Sequence, residues 1–234
     1  MDETRVQLSP VGTGSRVELQ RRLQPGEPRG TVHTLTELVL DRDLQGARAL
    51  LLARIEAGES LHRILTGYLA PSARLMGTFW DDDRVKFTEV TAGVGRLQDL
   101  QRGLDEVVRS PALGVDAPRV LLATIPGEQH SFGLSVVASL LHHRGWEVTG
   151  APSRSPGDLL AAAGRGWYEV IGLSAGCDQH LEQTAALVAR LRDASLNRSV
   201  RIVVGGRLVA EQPGLARELG ADDELTDPAT LDPG

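Results

Sequence analysis

The sequence predicts an α/β doubly wound (flavodoxin-like) parallel sheet domain preceded by a small helical bundle. Two observations lead to this fold class. Between residues 31 and 113 the apolar residues recur at helical spacing, whereas after residue 117 short apolar runs of strand length alternate with helical patterns. Strands that alternate with helices form right-handed crossover units, and such units build a parallel sheet.

The first part of the chain is predicted to be a tail followed by the bundle. Residues 1–30 contain "PVGTG" and "QPGEPRG" and little apolar periodicity, so we interpret them as a mobile N-terminal tail. Residues 31–113 should form four or five short helices, with a stop at Gly58 and an N-cap at Ser60. The expected buried positions include Leu35, Leu38, Val39, Leu44, Ala47, Leu51 and Leu52, then Phe87, Val90, Val94, Leu97, Leu100 and Leu104.

The second part of the chain, residues 117–232, is predicted to be the sheet domain. "SPALGVDAP", around residues 110–118, has the composition of a linker. The expected strands are "RVLLATI", "WEVTG", "YEVIGLSA" and "VRIVVGG", each followed by a helical pattern, and Ser155 is the expected cap of the second helix. "EQPGLARELGADD" should close the domain with a helix and a short last strand.

Composition narrows the class of protein. The chain of 234 residues has a formal net charge of −6, which argues against binding duplex DNA by a broad basic surface. Its single cysteine, Cys177, excludes an intramolecular disulfide. Neither an apolar segment of membrane-spanning length nor a signal-peptide pattern is evident. We therefore expect a cytoplasmic protein that does not associate with membranes.

Three short motifs fall where the predicted parallel strands end. They are "EQHSFG" after the first strand, "SAG" after the third and "GG" after the fourth, and they supply Glu128, His130, Gly133, Ser174, Gly176, Gly205 and Gly206. Ligands of open parallel sheets bind outside the carboxyl ends of the strands. None of the motifs matches GxGxxG or GxxxxGK[ST], which argues against a dinucleotide site or a P-loop.

The spacing of these motifs resembles that of the cobalamin-binding domain of methionine synthases, corrinoid proteins and mutases. That family carries Asp-x-His-x-x-Gly, then Ser about 41 residues on, then Gly-Gly about 27 later; here 40 residues separate Gly133 from Ser174, and 28 separate Gly176 from Gly205. The resemblance implies a Rossmann-like cobalamin domain in which His130 is the lower axial ligand of cobalt. The cofactor, hydroxo- or adenosylcobalamin, would be contacted by Trp80, Glu128, Gln129, Ser131, Phe132, Gly133, Ser174, Gly176, Gly205 and Gly206.

The chemistry of His130 is consistent with that role, although simpler interpretations exist. A neutral imidazole ligates cobalt well if its second nitrogen has a partner that fixes the tautomer. Glu128 stands where the family has Asp, and the extra methylene leaves open whether it reaches His130 directly or through a water. Without the other motifs, a histidine in such a turn would be a loop or capping residue, Gly-Gly a turn, and Ser174 an N-cap. His142 and His143, late in a helix, are interpreted as surface residues.

The bundle, together with the sheet domain, resembles the AerR/PpaA family. The resemblance is carried by "GTFWDDDRVKFTEVTAGVGRLQDLQRGL" and "PGEQHSFGLSVVASLLHHRGWEV". In light-sensing cobalamin regulators a bundle caps the upper face of the corrin with a Trp, followed ten and eleven residues later by Glu-His. Here Trp80 is followed by Glu89 at plus nine and Val90 at plus ten, so no His stands at the matching position. The family implies an antirepressor of photosynthesis genes that binds a DNA-binding repressor of the CrtJ/PpsR type, and no helix-turn-helix is evident in this chain.

Three other functions remain open at this point. The main alternative is a corrinoid methyl carrier of a methyltransferase system, which shares the bundle-plus-sheet layout. A haem-based sensor would differ in its absorption spectrum. An adenosylcobalamin mutase is disfavoured because the chain has no room for a substrate barrel of ~250 residues. We expect a light- or redox-responsive regulator rather than an enzyme.

Overall fold

A computed structural model describes residues 28–108, 110–128, 130–150, 155–176 and 181–232. The chain divides into two compact units, residues 1–104 and residues 105–234. Within the described residues, no helix has both the length and the apolar character that a membrane span requires. Most of the predicted tail lies outside the described residues, but its last three residues are helical because α1 already begins at Pro28, and proline is tolerated in the first turn of a helix.

The helical unit consists of consecutive helices joined by short turns. They are α1 (Pro28–Leu40), α2 (Leu44–Glu56), α3 (Leu61–Ile64), a π-helical turn (Leu65–Leu69), α4 (Ala70–Asp81) and α5 (Phe87–Val107), the last of which continues past the end of this unit. Gly58 follows α2 with a positive φ of 90°, and the Ser60 hydroxyl accepts the Arg63 N–H at 3.2 Å. Both predicted boundary residues are therefore confirmed.

Most of the predicted apolar positions form the core of the helical unit. Buried are Leu35, Leu38, Val39, Ala47, Leu51, Leu97, Leu100 and Leu104, whereas Leu44, Leu52, Val90 and Val94 are half-buried and Phe87 is 65% exposed. Phe87 is the first residue of α5, where the helix has only begun, so the spacing that buries Leu97 and Leu100 does not bury it. The prediction that Phe87 belongs to the core was wrong.

The second unit is a five-stranded parallel sheet with helices between its strands. Its elements are β1 (Arg119–Thr124), α6 (Phe132–His143), β2 (Glu147–Gly150), α7 (Pro156–Ala163), β3 (Val170–Ser174), α8 (Leu181–Ala194), β4 (Arg201–Gly205), α9 (Arg207–Glu211), α10 (Leu215–Glu218) and β5 (Asp223–Leu225), followed by a 3-10 turn (Pro228–Thr230). The strand order is β2-β1-β3-β4-β5, and all pairs are parallel. This is the flavodoxin-like order, so the predicted fold class is confirmed.

Local contacts of the sheet unit confirm one prediction and correct another, and the unit contains one helix that was not predicted. The Ser155 hydroxyl accepts the Asp158 N–H at 3.1 Å and caps α7 as expected. The short helix α9 was not anticipated. His143 is not a free surface residue, because its Nε2 lies 3.1 Å from Asp105 Oδ1 and its Nδ1 lies 3.1 Å from the Ser110 hydroxyl.

Candidate functional site

The three sequence motifs meet at one edge of the sheet because of the strand register. Thr124 at the end of β1 pairs with Ser174 at the end of β3, which pairs in turn with Gly205 at the end of β4. The strand order reverses between β1 and β3, since β1 lies next to both β2 and β3. Open sheets bind ligands in the crevice at this switch point. The loop that carries His130 follows β1, and the "SAG" segment follows β3, so both lie at this switch point.

A buried carboxylate holds the exposed imidazole in this loop. The side chain of His130 is 86% exposed, whereas that of Glu128 is 1% exposed. Glu128 Oε1 lies 2.6 Å from His130 Nδ1 and accepts the His130 backbone N–H, also at 2.6 Å. Glu128 therefore reaches His130 directly, despite standing where the wider family has Asp.

The protonation state of Glu128 determines which nitrogen of His130 is available. Burial raises the pKa of the Glu128 carboxyl, but hydrogen bonds from the His130 backbone and ring, the charge of His130 and the Gly176 N–H outweigh it and leave the pKa below the ordinary value. An ionised carboxylate only accepts hydrogen bonds, so Nδ1 of His130 carries the proton. When the imidazole is neutral, Nε2 is then the nitrogen that can ligate a metal.

The second oxygen of Glu128 joins this loop to the end of β3. Glu128 Oε2 accepts the Gly176 N–H at 2.9 Å. A Cβ on Gly176 would collide with that oxygen. The loop after β1 and the segment after β3 are thus held together by one side chain.

The glycines of the three motifs differ in whether contacts within the protein explain why the residue is glycine. Gly206 has a φ of 108°, and a Cβ there would approach the Ala175 carbonyl oxygen to 2.5 Å; a Cβ on Gly205 would approach that of Leu225 to 2.5 Å. Close backbone contact within the protein accounts for both. For Gly133, in contrast, no described heavy atom beyond its own helix and chain neighbours lies within 4 Å of the Cβ position. The space beside Gly133 is free to receive a ligand.

The remaining predicted residues have varied positions. Gln129 lies outside the described residues. Ser131 precedes α6 and is partly buried, while Phe132 is 7% exposed and lies in the interior. Trp80 is near the end of α4 in the helical unit, where it is 48% exposed.

Two contacts made by predicted site residues were not expected from the sequence: that of Gly176 with Arg207 and that of Trp80 with Phe87. The Arg207 guanidinium donates to the Gly176 carbonyl at 2.8 Å and pairs with Glu211 at 2.8 Å. Its position immediately after Gly205-Gly206 is a signal that could have been used. Phe87 packs edge-on against Trp80, with ring centroids 6.0 Å apart. Phe87 follows Trp80 by seven residues, which is about two helical turns and would place both rings on one face of a continuous helix. The helix ends between them, so this spacing did not predict the contact.

Comparison with known proteins assigns the chain to a family. The B12 binding domain model matches residues 118–231. A 20.5 kDa protein from the bchF-crtJ intergenic region of Rhodobacter capsulatus is 33% identical over 165 residues, which cover 69% of this chain and 84% of that protein. The chain belongs to the AerR/PpaA-type family of cobalamin-binding proteins. Its predicted family and cofactor class, cobalamin, are thereby confirmed.

Corrinoid proteins are also related to this AerR/PpaA-type chain. The dimethylamine corrinoid protein of Methanosarcina barkeri is 28% identical over 134 residues, which cover 57% of this chain and 59% of that protein. The structure of the monomethylamine corrinoid protein of Methanosarcina barkeri superposes with a TM-score of 0.67 at 16% identity, covering 86% of this chain and 94% of that one. The superposition supports the fold.

The residues at the switch point suit a cobalt corrinoid. An imidazole whose tautomer is fixed by a buried carboxylate is a strong nitrogen ligand, and outer partners of this kind raise ligand basicity. Gly133, three residues after His130, has open space at its Cβ position. Both features fit a cobalt corrinoid that His130 would hold through Nε2.

Proposed function

We propose that this protein is a light- or redox-responsive cobalamin-binding regulator that acts as an antirepressor through a DNA-binding repressor of the CrtJ/PpsR type. The observation that carries the proposal is the exposed His130 imidazole, held through Nδ1 by the buried Glu128 at the β1/β3 switch point. The Rhodobacter capsulatus relative, whose name places it between bchF and crtJ, supports the regulatory part.

The chain's own residues would bind and orient the cofactor. His130 Nε2 would be the lower axial ligand of cobalt, and Glu128 would keep the proton on Nδ1. Gly133 would leave room for the part of the cofactor next to the imidazole, and Ser174 with Gly205 and Gly206 would border the nucleotide tail. When bound, hydroxo- or adenosylcobalamin would supply an upper axial bond that light or a change of redox state can break or exchange.

The response would begin at the exposed aromatic surface formed by Trp80 and Phe87. We assign to this surface the contact with the group on the upper side of the cofactor. A change of that group can shift the protein between two arrangements only if the group interacts differently with each of them. The arrangement that follows illumination would bind or release the repressor, with a contribution from the N-terminal residues, and the protein itself would not contact DNA.

Reconstitution in the dark tests the proposal. The full chain is purified with hydroxo- and with adenosylcobalamin, and visible spectra are recorded before and after illumination. We expect a tight red complex, a light-dependent spectral change and light-dependent capture of a purified CrtJ/PpsR-type repressor. His130→Ala should lose the imidazole ligand and bind cobalamin more weakly than the wild type, by more than the roughly 10- to 100-fold that loss of a ligand's outer partner costs.

His142→Ala is the matched control, because His142 is an exposed histidine at the far end of α6. It should behave as wild type. Absence of a tight cobalamin complex, or unchanged binding in His130→Ala, would overturn the proposal. Cobalamin binding without any light effect on repressor capture would overturn only its regulatory part.

A corrinoid methyl carrier is the second candidate function. Sequence similarity to the dimethylamine corrinoid protein favours it. A carrier would accept and donate a methyl group when partner methyltransferases are supplied, and its repressor capture would not depend on light. A haem complex, in contrast, would be recognised by its absorption spectrum after feeding with both cofactors.

A further inference from the structure

Glu128 uses its two carboxylate oxygens for two different segments of the chain. Oε1 contacts His130, at both its backbone N–H and its ring Nδ1, whereas Oε2 accepts the Gly176 N–H at 2.9 Å. His130 belongs to the loop after β1, and Gly176 follows β3. The orientation of the imidazole is therefore tied to the position of the neighbouring strand end.

The length of the side chain matters for this connection. Aspartate is shorter by one C–C bond, about 1.5 Å, so it cannot keep both contacts on the same backbone. The residue at position 176 matters equally, because a Cβ there would collide with Glu128 Oε2. Gly176 is not among the glycines with a positive φ, so the need for glycine comes from the space that Glu128 occupies. Glu128 and Gly176 are matched in size.

The connection extends from Gly176 to the end of β4. Arg207 Nη2 donates to the Gly176 carbonyl at 2.8 Å, and the same guanidinium pairs with Glu211. The Leu208 N–H donates to the Ala175 carbonyl at 3.1 Å. The segment after β3 is thus held on one side by the loop of His130 and on the other by the residues that follow Gly205-Gly206.

We propose that Glu128 is a positioning residue that couples the orientation of His130 to the ends of β3 and β4 through the Gly176 peptide. The inference rests on the proposed role of His130 as the lower ligand of cobalt. It adds that this chain requires glutamate, and not the aspartate of the wider family, because only the longer side chain joins the imidazole to Gly176. A carboxylate contacting the histidine alone would fix the tautomer but leave the imidazole uncoupled from the segments beside it.

Glu128→Asp tests the coupling in the loaded protein. The readout is the fraction of cobalt ligated by His130, measured with 15N-histidine-labelled protein in the electron paramagnetic resonance spectrum of the reduced, cobalt(II) form. An axial 15N from the protein splits the lines into doublets, whereas the cofactor's own 14N base would split them into triplets. We expect the variant to ligate cobalt through His130 about 10- to 100-fold more weakly. Glu169→Asp is the matched control, since Glu169 also accepts a backbone N–H, that of Arg119 at 2.6 Å. This contact lies at the amino ends of β1 and β3, away from His130. It should leave the splitting unchanged.

A double-mutant cycle tests the same coupling without cofactor. Gly176→Ala alone should lower the denaturant concentration at the unfolding midpoint, because its methyl group meets the Glu128 carboxylate. Combined with Glu128→Asp, the same substitution should lower it much less. Additive effects of the two substitutions would overturn the inference, since residues that do not interact add.

The outcomes separate this inference from the proposed function. If the wild type fails to bind cobalamin, or His130→Ala binds it unchanged, the proposed function fails. If both behave as proposed but Glu128→Asp retains the wild-type nitrogen splitting, only the coupling is refuted. Loss of the splitting in Glu169→Asp as well would show a general loss of fold and would also refute a specific role for Glu128.

Discussion

Replacing Gly133 by alanine should stabilise the fold and weaken cobalamin binding at the same time. Gly133 is the second residue of α6, and a methyl group there would meet no described atom within 4 Å beyond its own helix and chain neighbours. Glycine in a helix interior costs about 0.5–1 kcal/mol relative to alanine, and this range is an upper bound for the second residue of a helix. For a chain of this size, that gain corresponds to a rise in melting temperature of about 1–4 °C.

The same substitution is expected to weaken the binding of cobalamin. If the space beside Gly133 is filled by cobalamin, the added methyl group must displace it, and we expect at least about a tenfold rise in Kd, or ~1.4 kcal/mol. Calorimetry of the cofactor-free protein measures the first effect, and titration with hydroxocobalamin followed by absorbance measures the second.

Gly157→Ala provides the control for both effects. Gly157 is likewise the second, exposed residue of its helix, α7, which follows the outer strand β2 rather than the switch point. It should give a similar rise in melting temperature with an unchanged Kd. A Gly133→Ala protein that is more stable and binds cobalamin as tightly as the wild type would refute the placement of the cofactor beside Gly133.

Three further predictions concern acid stability, the aromatic surface and the sheet core. The carboxyl of Glu128 has a pKa below its ordinary value of 4.5 because its hydrogen bonds outweigh burial. Its contribution to the stability of the fold is therefore present above pH 4.5 and is lost as the pH falls toward the lower pKa of the folded state. Denaturation at several pH values should show that Glu128→Gln removes this part of the pH dependence. Trp80→Ala should leave the unfolding midpoint of the cofactor-free protein nearly unchanged but alter the light-induced spectral change, whereas the control Trp167→Ala, at an equally exposed position, should alter neither. Gly172→Ala should destabilise the protein by about 1–3 kcal/mol in denaturant unfolding, because its Cβ would lie 2.7 Å from Leu122 Cδ2 in the middle of the sheet; a neutral effect would show that the core yields more easily than expected.

The strand-level organisation could be predicted because each element has a strong local pattern. Continuous apolar runs gave β1, β3 and β4, and the alternation with helices required a parallel sheet. The short helix α9 could not be anticipated, since five residues are too few to show a period. Phe87 fitted the apolar spacing of α5 but lies at its first turn, where the spacing does not decide burial.

Long-range side-chain contacts were beyond the sequence pattern. The spacing suggested a relation between Glu128 and His130, but not that the second carboxylate oxygen reaches Gly176, 48 residues away. Likewise, His143 has the position of a surface residue at a helix end, and only the packing brings it to Asp105 and Ser110. Such contacts depend on how elements meet, which local periodicity does not encode.

The glycines of the three motifs are not equal as evidence for a cofactor. Gly205 and Gly206 would be required in this fold without any ligand, because the backbones of Leu225 and Ala175 lie too close for a side chain. Position 176 must be glycine because the carboxylate of Glu128 occupies the space of a side chain there. That carboxylate in turn holds His130, so Gly176 supports the orientation of the imidazole. Gly133 has no such reason within the described protein. The exposed imidazole of His130 and the open position beside Gly133 are therefore the observations that most favour a bound cofactor, whereas close backbone packing alone explains the Gly-Gly pair.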